Sequence, residues 1–409
     1  MGRLLIRDLA QVATPAGRGA PLRGTALAEV EVIEQAFVLC ADAVIEAVGS
    51  MRDLPAAAGG GEVEEIDGRG LAAVPGLVDC HTHPAFAGDR VEEFALRAGG
   101  ASYEELHAAG GGILSTVRAT RAASRDELGA ATERHRGWMR AHGTTTFEGK
   151  SGYGLDRDTE LGQLEAVRTA GGVATWLGAH TVPPEFSDAD AYLDFALAEV
   201  LPAAAAIAEA ADIFLERGSF DDVQARRYLE ACRAAGLTLR LHGDQFTEAG
   251  AIPLAIELGA RSVDHLEATG ADGVAALAKS DVIGVLLPAS ALFLGRPLPP
   301  GRALVDAGAA IALATDFNPG SAFCESLPLV CSLAATQLRL APSEALAAVT
   351  VNAAHVLRRA DRLGRLARGY AADVALLDVP DWRYLAYHLG GDLVHTVVES
   401  GRVAWSRRA

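Results

Sequence analysis

Lysine is almost absent from this 409-residue chain: Lys150 and Lys279 stand against 34 arginines. Genomic base composition can swap surface lysine for arginine. A lysine that survives that bias marks a place where a flat, forked guanidinium does not substitute. Cysteine is also sparse. Cys40, Cys80, Cys232, Cys324 and Cys331 are scattered and make no C-x-x-C pair, which excludes a disulfide scaffold and a zinc ribbon. No run of 18 apolar residues occurs; the best candidate, residues 282–294, contains Pro288 and is too short to span a bilayer. Positive charge is in deficit: 36 Lys and Arg against 53 Asp and Glu give a net charge of −17. That balance argues against nucleic acid and against an anionic membrane as partners. The first residues meet Asp8 before any signal-peptide core forms, so the expected location is the cytoplasm.

The remaining composition, 50% hydrophobic and 22% charged, belongs to a globular chain able to bury a large core. Glycine clusters near 59–61, 99–100 and 110–112 mark loops. The first 70 residues read as short strands, with two β-rich runs around a polar turn near Asp42. The last 40 read the same way, at 373–377, 394–398 and 403–405. Neither end can bury a core alone, so together they predict one composite β-sandwich domain, 1–74 and 359–409. Residues 75–358 change rhythm. Eight β-rich runs (77–83, 144–151, 174–181, 212–218, 237–245, 262–266, 282–288 and 310–316) alternate with amphipathic helical stretches such as 124–142 and 221–235. Eight such units predict a (β/α)8 TIM barrel. A doubly wound sheet is the competitor, but no G-x-G-x-x-G opens a helix after a strand.

Barrel chemistry sits at the C-terminal strand ends. Those ends carry His81 and His83, then Glu148 and Lys150, His180, Glu216, His242, His265, Pro288 and Asp316. Five of the eleven histidines fall there; His107, His135, His142, His355, His388 and His395 do not. His81 and His83 are one strand period apart, so both rings point to the same side. Alone, such a pair is also what a partly buried pair of histidines looks like. With His242 at strand 5 and Asp316 at strand 8 it becomes a ligand set for zinc or iron.

The run Pro75-Gly76-Leu77-Val78-Asp79-Cys80-His81-Thr82-His83, with Ala314-Thr315-Asp316, resembles the amidohydrolase superfamily. GGGI at 110–113, KSGYGLD at 150–156, LGAHTVPP at 177–184, Asp264-His265-Leu266, Leu286-Leu287-Pro288 and TDFNPG at 315–320 resemble, within it, the imidazolonepropionase family over nearly the whole chain. The resemblance implies hydrolysis of the cyclic amide of 4-imidazolone-5-propanoate to N-formimidoyl-L-glutamate, the third step of L-histidine degradation. It also implies a small-molecule substrate and a homodimer. Binuclear members of the superfamily use a carbamylated lysine at the end of strand 4. This chain has Glu216-Arg217 there, so one divalent metal per chain, Zn2+ or Fe2+/Fe3+, is expected on His81, His83, His242 and Asp316.

Such a metal lowers the pKa of a bound water and polarises a carbonyl. Asp316 is expected to accept the proton of that water, and His265 to steady the oxyanion or relay a proton. By resemblance, Arg90 and His180 bind substrate. A guanidinium suits the propionate carboxylate, although 34 arginines make solvation the ordinary fate of any one. Tyr153 offers a hydroxyl. Asn318, Gly320 and Ser321 are expected to bind the ring or the glutamate end of the product, and many relatives carry threonine at the last of these positions. Lys150 is read as a partner of Glu148 rather than a catalytic group. After His242 the family often has Ala-Asp-Glu; here Gly243-Asp244-Gln245 follows. An amide at Gln245 can orient a ring but cannot act as a base. Two alternatives remain at this point: a heterocycle deaminase sharing the metal site, and a non-catalytic metal-binding scaffold.

Overall fold

A computed structural model describes residues 2–17, 19–55, 63–100 and 111–407. The glycine cluster at 59–61, His107 and Gly110 lie outside the described residues. The N-terminal part gives β1 (Arg3–Pro15), β2 (Val30–Ala41), β3 (Val44–Ser50), β4 (Val63–Asp67) and β5 (Ala72–Pro75). Between β2 and β3, Asp42 and Ala43 take φ of +50° and +69°, a tight hairpin geometry matched to strand twist.

Eight strands follow in the middle of the chain: β6 (Leu77–Asp79), β7 (Thr144–Lys150), β8 (Val173–Ala179), β9 (Ala210–Leu215), β10 (Thr238–Gly243), β11 (Ser262–His265), β12 (Ile283–Leu286) and β13 (Ile311–Leu313). Each pairs in parallel with the next. All eight runs expected for the barrel therefore form strands. Helices flank them on the outside, so β8 is buried at every residue, as expected for a parallel sheet covered on both faces. The helices Arg125–Ala141 and Asp222–Ala234 both open with a capping box, Ser124 with Glu127 and Asp221 with Gln224. Those pairs satisfy backbone N–H groups that the first turn leaves free.

The barrel closes through residues just past β6 and β13. The Asp316 N–H donates to His81 O at 3.0 Å, and the His83 N–H to Phe317 O at 2.8 Å. Asp79 and Thr315 lock the same seam: the Thr315 hydroxyl donates to Asp79 Oδ2 at 2.6 Å. The two sequence motifs that carry the superfamily resemblance are thus stitched to each other.

The C-terminal part adds β14 (Val374–Leu377), β15 (Val394–Glu399) and β16 (Arg402–Ser406). β14 pairs antiparallel with β5, Ala73 opposite Leu376. Both chain ends thereby enter one mixed sheet, of order β16-β15-β14-β5-β1-β2-β3 with β4 on β1. This sheet has a core of its own, including Leu4, Ile6, Val38, Val374 and Leu376. It is tied to the barrel by Glu399, which receives Arg136 at 3.1 Å and Arg140 at 2.7 Å.

A candidate metal centre and its substrate pocket

The strand ends place five histidines and one aspartate around one point. One nitrogen from each of His81, His83 and His242 lies within 4.8 Å of the others, and His81, His265 and Asp316 form a second such group. Asp316 Oδ1 is 3.5 Å from His81 Nε2 and 3.4 Å from His83 Nε2. Every expected metal ligand is therefore in one cluster, with His265 beside it. The backbone is strained here: His265 and Asp316 have φ of +87° and +56°, a region costing non-glycine residues about 1–3 kcal/mol each. Both side chains line the pocket at the mouth of the barrel.

The chemistry of the donor set fits a metal cation. His81 Nε2 and His242 Nε2 are buried and have no hydrogen-bond partner among the described residues. Buried imidazole nitrogens left that way are costly unless something binds them. The other nitrogen of each ring faces a carboxylate: His81 Nδ1 lies 2.6 Å from Asp264 Oδ2, and His242 Nδ1 lies 3.0 Å from Asp212 Oδ1. For His81 that pairing leaves Nε2 bare, as a metal-binding histidine requires. At His242, Asp212 Oδ1 accepts the backbone N–H at 3.1 Å and lies beside a ring whose two nitrogens both lack a hydrogen bond among the described residues.

Burial and the neighbouring cations keep His81 well below the ordinary histidine range. Burial also takes His242 down to about 4 and His180 to about 3. All three rings are neutral at pH 7. His265 differs. Burial pushes it down, but Glu267, 3.4 Å from Nδ1, outweighs this and raises its pKa. Burial likewise opposes ionisation of Asp316, yet His83, His265 and His242 hold its carboxyl down at about 2. The pair thus offers a proton donor and a carboxylate acceptor side by side.

Above this floor lies a pocket of about 370 Å³ lined by Arg90, Tyr153, His180, Gln245, Asn318, Gly320 and Ser321 with the cluster itself. All the expected substrate-binding residues reach it. His180 stacks on His83 with ring centres 5.6 Å apart, and its Nδ1 is 3.0 Å from Gly152 O. Gly152, at φ +102°, allows this approach; a Cβ there would fall 3.0 Å from that nitrogen. Tyr153 is buried with Phe86 and Phe317. Asn318 lines the pocket and is also tied to its own loop. Its Nδ2 donates to Asp316 O and Ser321 Oγ at 2.6 and 2.8 Å, and its Oδ1 accepts the N–H of Gly320 and of Ser321, both at 2.8 Å. Its amide is spent on the loop. Arg90 is also engaged: its Nε donates to Glu93 Oε2 at 2.9 Å and its Nη2 to Glu93 Oε1. The third nitrogen, Nη1, lies against Gly320, where a Cβ would come within 2.1 Å.

Several residues of the site were not singled out in the sequence. Asp212, Asp264 and Glu267 orient ligands or the acid–base histidine. Glu160 accepts the N–H groups of Gly152, Gly154 and Leu155 at 3.1, 2.9 and 2.9 Å and so shapes the SGYGLD loop. Glu216, which the sequence had already placed at a strand end, follows β9 and accepts the N–H groups of Phe246 and Thr247. It pins the loop after β10. Arg97, over the Phe293 ring at 4.7 Å, and Arg296, over Phe246 at 5.2 Å, add positive charge to the pocket wall.

A family model described as "Amidohydrolase family" matches residues 72–403. The chain is 62% identical over 408 residues to the imidazolonepropionase of Rubrobacter xylanophilus, covering 97% of each chain. It is 47% identical to that of Herpetosiphon aurantiacus, covering 98% of this chain and 96% of the relative. The chain belongs to the imidazolonepropionase branch of the amidohydrolase family. Solved structures share the fold at low identity. A triazine hydrolase variant has a TM-score of 0.74 at 19% identity, covering 98% of this chain and 94% of that one. A guanine deaminase from C. acetobutylicum has 0.75 at 13%, covering 98% and 100%. Amidohydrolase membership and the bare histidine nitrogens agree on a metal-dependent hydrolase.

Proposed function

We propose that this amidohydrolase opens the ring of 4-imidazolone-5-propanoate, hydrolysing its amide C–N bond to give N-formimidoyl-L-glutamate. The observation that carries this reading is full-length similarity to imidazolonepropionases at up to 62% identity. The pocket supports it by setting rim arginines above an acid–base pair. His81, His83, His242 and Asp316 would hold one zinc or iron ion. When bound, the ion supplies a water acidic enough to attack at neutral pH and an electrophile for the ring carbonyl.

The chain's own groups do the rest. Asp316, ionised, takes the proton from the attacking water. His265, held beside Glu267, donates a hydrogen bond to the carbonyl oxygen as negative charge develops there. As the C–N bond breaks, the proton held by Asp316 passes to the departing ring nitrogen, and Asp316 returns to its carboxylate form. His180 donates Nδ1–H to Gly152 O, which leaves Nε2 free to accept a ring N–H. Tyr153 and Gln245 orient the ring by hydrogen bonds. Arg90, with Glu93 on two of its nitrogens, receives the propionate through Nη1 over Gly320. Ser321 offers its hydroxyl, while Asn318 holds the loop that carries it.

We further take the enzyme to be a cytoplasmic homodimer. No described helix is long and apolar enough to cross a membrane. The test is turnover of imidazolone propanoate with elemental analysis of the same sample. The expected result is hydrolysis and about one metal equivalent, as a single four-ligand site implies. Ammonia release from cytosine or guanine without ring opening would favour the deaminase alternative, and a stoichiometry near two would defeat the one-metal reading.

A further inference from the structure

Beneath the histidines lies a group of charges that the hydrolysis itself does not use. Lys150 is fully buried. Its Nζ donates to Glu148 Oε1 at 2.8 Å and to Asp212 Oδ2 at 2.7 Å, and lies 3.6 Å from Asp264 Oδ2. The same two aspartates face the metal-ligand rings. With its other oxygen Asp212 accepts the His242 backbone N–H at 3.1 Å and lies 3.0 Å from that ring's Nδ1, and Asp264 lies 2.6 Å from His81 Nδ1. Asp212 sits on β9 and Asp264 on β11, so two strand ends are joined through one ammonium carried by β7.

We propose that Lys150 is a positioning residue for the metal centre, holding in place the two carboxylates that orient His81 and His242. This rests on the metal site proposed above. Without the ammonium, Asp212 and Asp264 would be buried like charges with no cation between them, an arrangement that drives side chains apart or neutralises one of them. Either outcome takes one ligand histidine away from the carboxylate that holds it.

The neighbouring arginine sharpens the assignment. Arg240 reaches Glu148 at 2.7 Å and the carbonyls of Cys80 and Val356 at 3.3 and 3.1 Å. No hydrogen bond or ion pair joins it to either aspartate among the described residues. Of the two cations on Glu148, only Lys150 links to the carboxylates beside the ligand histidines. Its chemistry suits the place: a compact ammonium with three donors meets carboxylates on different strands, which a planar fork does not. The structure thus gives a reason for one of the chain's two lysines to resist replacement by arginine.

The test measures zinc affinity by chelator competition on the purified full-length protein, with no substrate present. Lys150→Met should weaken zinc binding by about 10–100-fold, the usual scale for loss of an outer-shell partner. Glu148→Gln removes a Lys150 partner that touches no histidine, and should change affinity less than about threefold on the same outer-shell scale. Wild-type affinity in Lys150→Met, or an equal loss in both variants, would overturn the proposal. If Lys150→Met does not fold, Asp212→Asn serves instead: it keeps the side-chain shape and weakens the hold on both Lys150 and His242. Affinity should then fall about tenfold, and unchanged affinity would overturn the proposal. Because no substrate enters the measurement, a chain that hydrolyses some other ring would defeat the proposed function and leave this result intact.

Discussion

At the floor of the pocket, each charged side chain is buried and faces a partner on another strand; at the rim, the charges sit on a short helix and on loops. Lys150, Glu148, Asp212 and Asp264 are fully buried and span β7, β9 and β11. Arg90 and Glu93 stand instead at the start of the helix Val91–Ala98, which has no buried residue. The floor is fixed by barrel register and cannot adjust without moving strands. The rim can adjust, because Glu93 is a surrogate carboxylate already on Arg90. The floor is therefore suited to chemistry that needs set distances. The rim is suited to admitting and releasing an anion.

The largest effect should come from breaking the floor. Asp316→Asn removes a metal ligand and the proton acceptor together, and kcat/KM should fall by roughly 10³–10⁴-fold, the upper range for an acid–base group. Stripping the metal with a chelator should abolish turnover, and readdition should restore it. Turnover that survives both treatments would mean that the cluster is not the reacting centre. Next in size is His265→Ala, which leaves the ligand set intact and removes the donor to the carbonyl oxygen. The expected loss is about 10²-fold in kcat with little change in KM. An equal change in KM would move His265 from the chemistry to substrate binding.

The two regions also differed in how far they could be read from sequence. The barrel's eight strands and the clustering of the four proposed ligands were legible because each is a local pattern: a β-rich run, a histidine pair at strand period, a chemistry-bearing residue at the run's end. Asp212 was not legible. Its partner His242 is thirty residues away, and only parallel registry of β9 and β10 brings them together. Glu160 gave no signal either, since a carboxylate on a helix looks solvated until the loop folds over it. Asp264 was half-legible: it stands in a quoted motif beside His265 but had no assigned role. At the rim, the Arg90–Glu93 pair was available in the sequence, because residues three apart on a helix are neighbours. The expectation that the Arg90 guanidinium meets the propionate did not take this pair into account. The amide of Asn318 was likewise expected to face substrate, but asparagine tends to bond its own backbone two or three residues on, and here it does.

Smaller effects are expected at the rim, and they test whether it adjusts. Arg90→Ala should raise KM by roughly 10–100-fold, since one charge-assisted contact is worth about 1.5–3 kcal/mol; kcat should change little. Arg90→Lys should recover only part of this. Glu93→Gln gives the contrasting arm. If Glu93 competes with the propionate for the guanidinium, weakening it should lower KM or leave it unchanged. A KM that rises as far as in Arg90→Ala would show that Glu93 holds Arg90 in its working pose and that the rim is as rigid as the floor.

The smallest effect, and the one that separates floor from rim most finely, is at Gln245. It follows His242 by three residues yet lines the pocket rather than the buried charge cluster. On the present assignment, proton transfer belongs to Asp316 and His265, and an amide at 245 only orients the ring. Gln245→Glu would then set a negative charge near an anionic substrate and near Asp316. At pH above the new carboxyl's pKa, repulsion should raise KM by a few-fold, about 0.5–1 kcal/mol for a partly screened pair. Below that pKa the group is neutral, and KM should return toward the wild-type value, so the KM difference should grow as pH rises. Profiles of kcat and KM against pH for wild type, Gln245→Glu and His265→Ala supply the comparison. A rise in kcat for Gln245→Glu, together with near-normal kcat in His265→Ala, would transfer the proton chemistry from the floor to the loop after β10. The division between a fixed floor and an adjustable rim would then have to be redrawn at this residue.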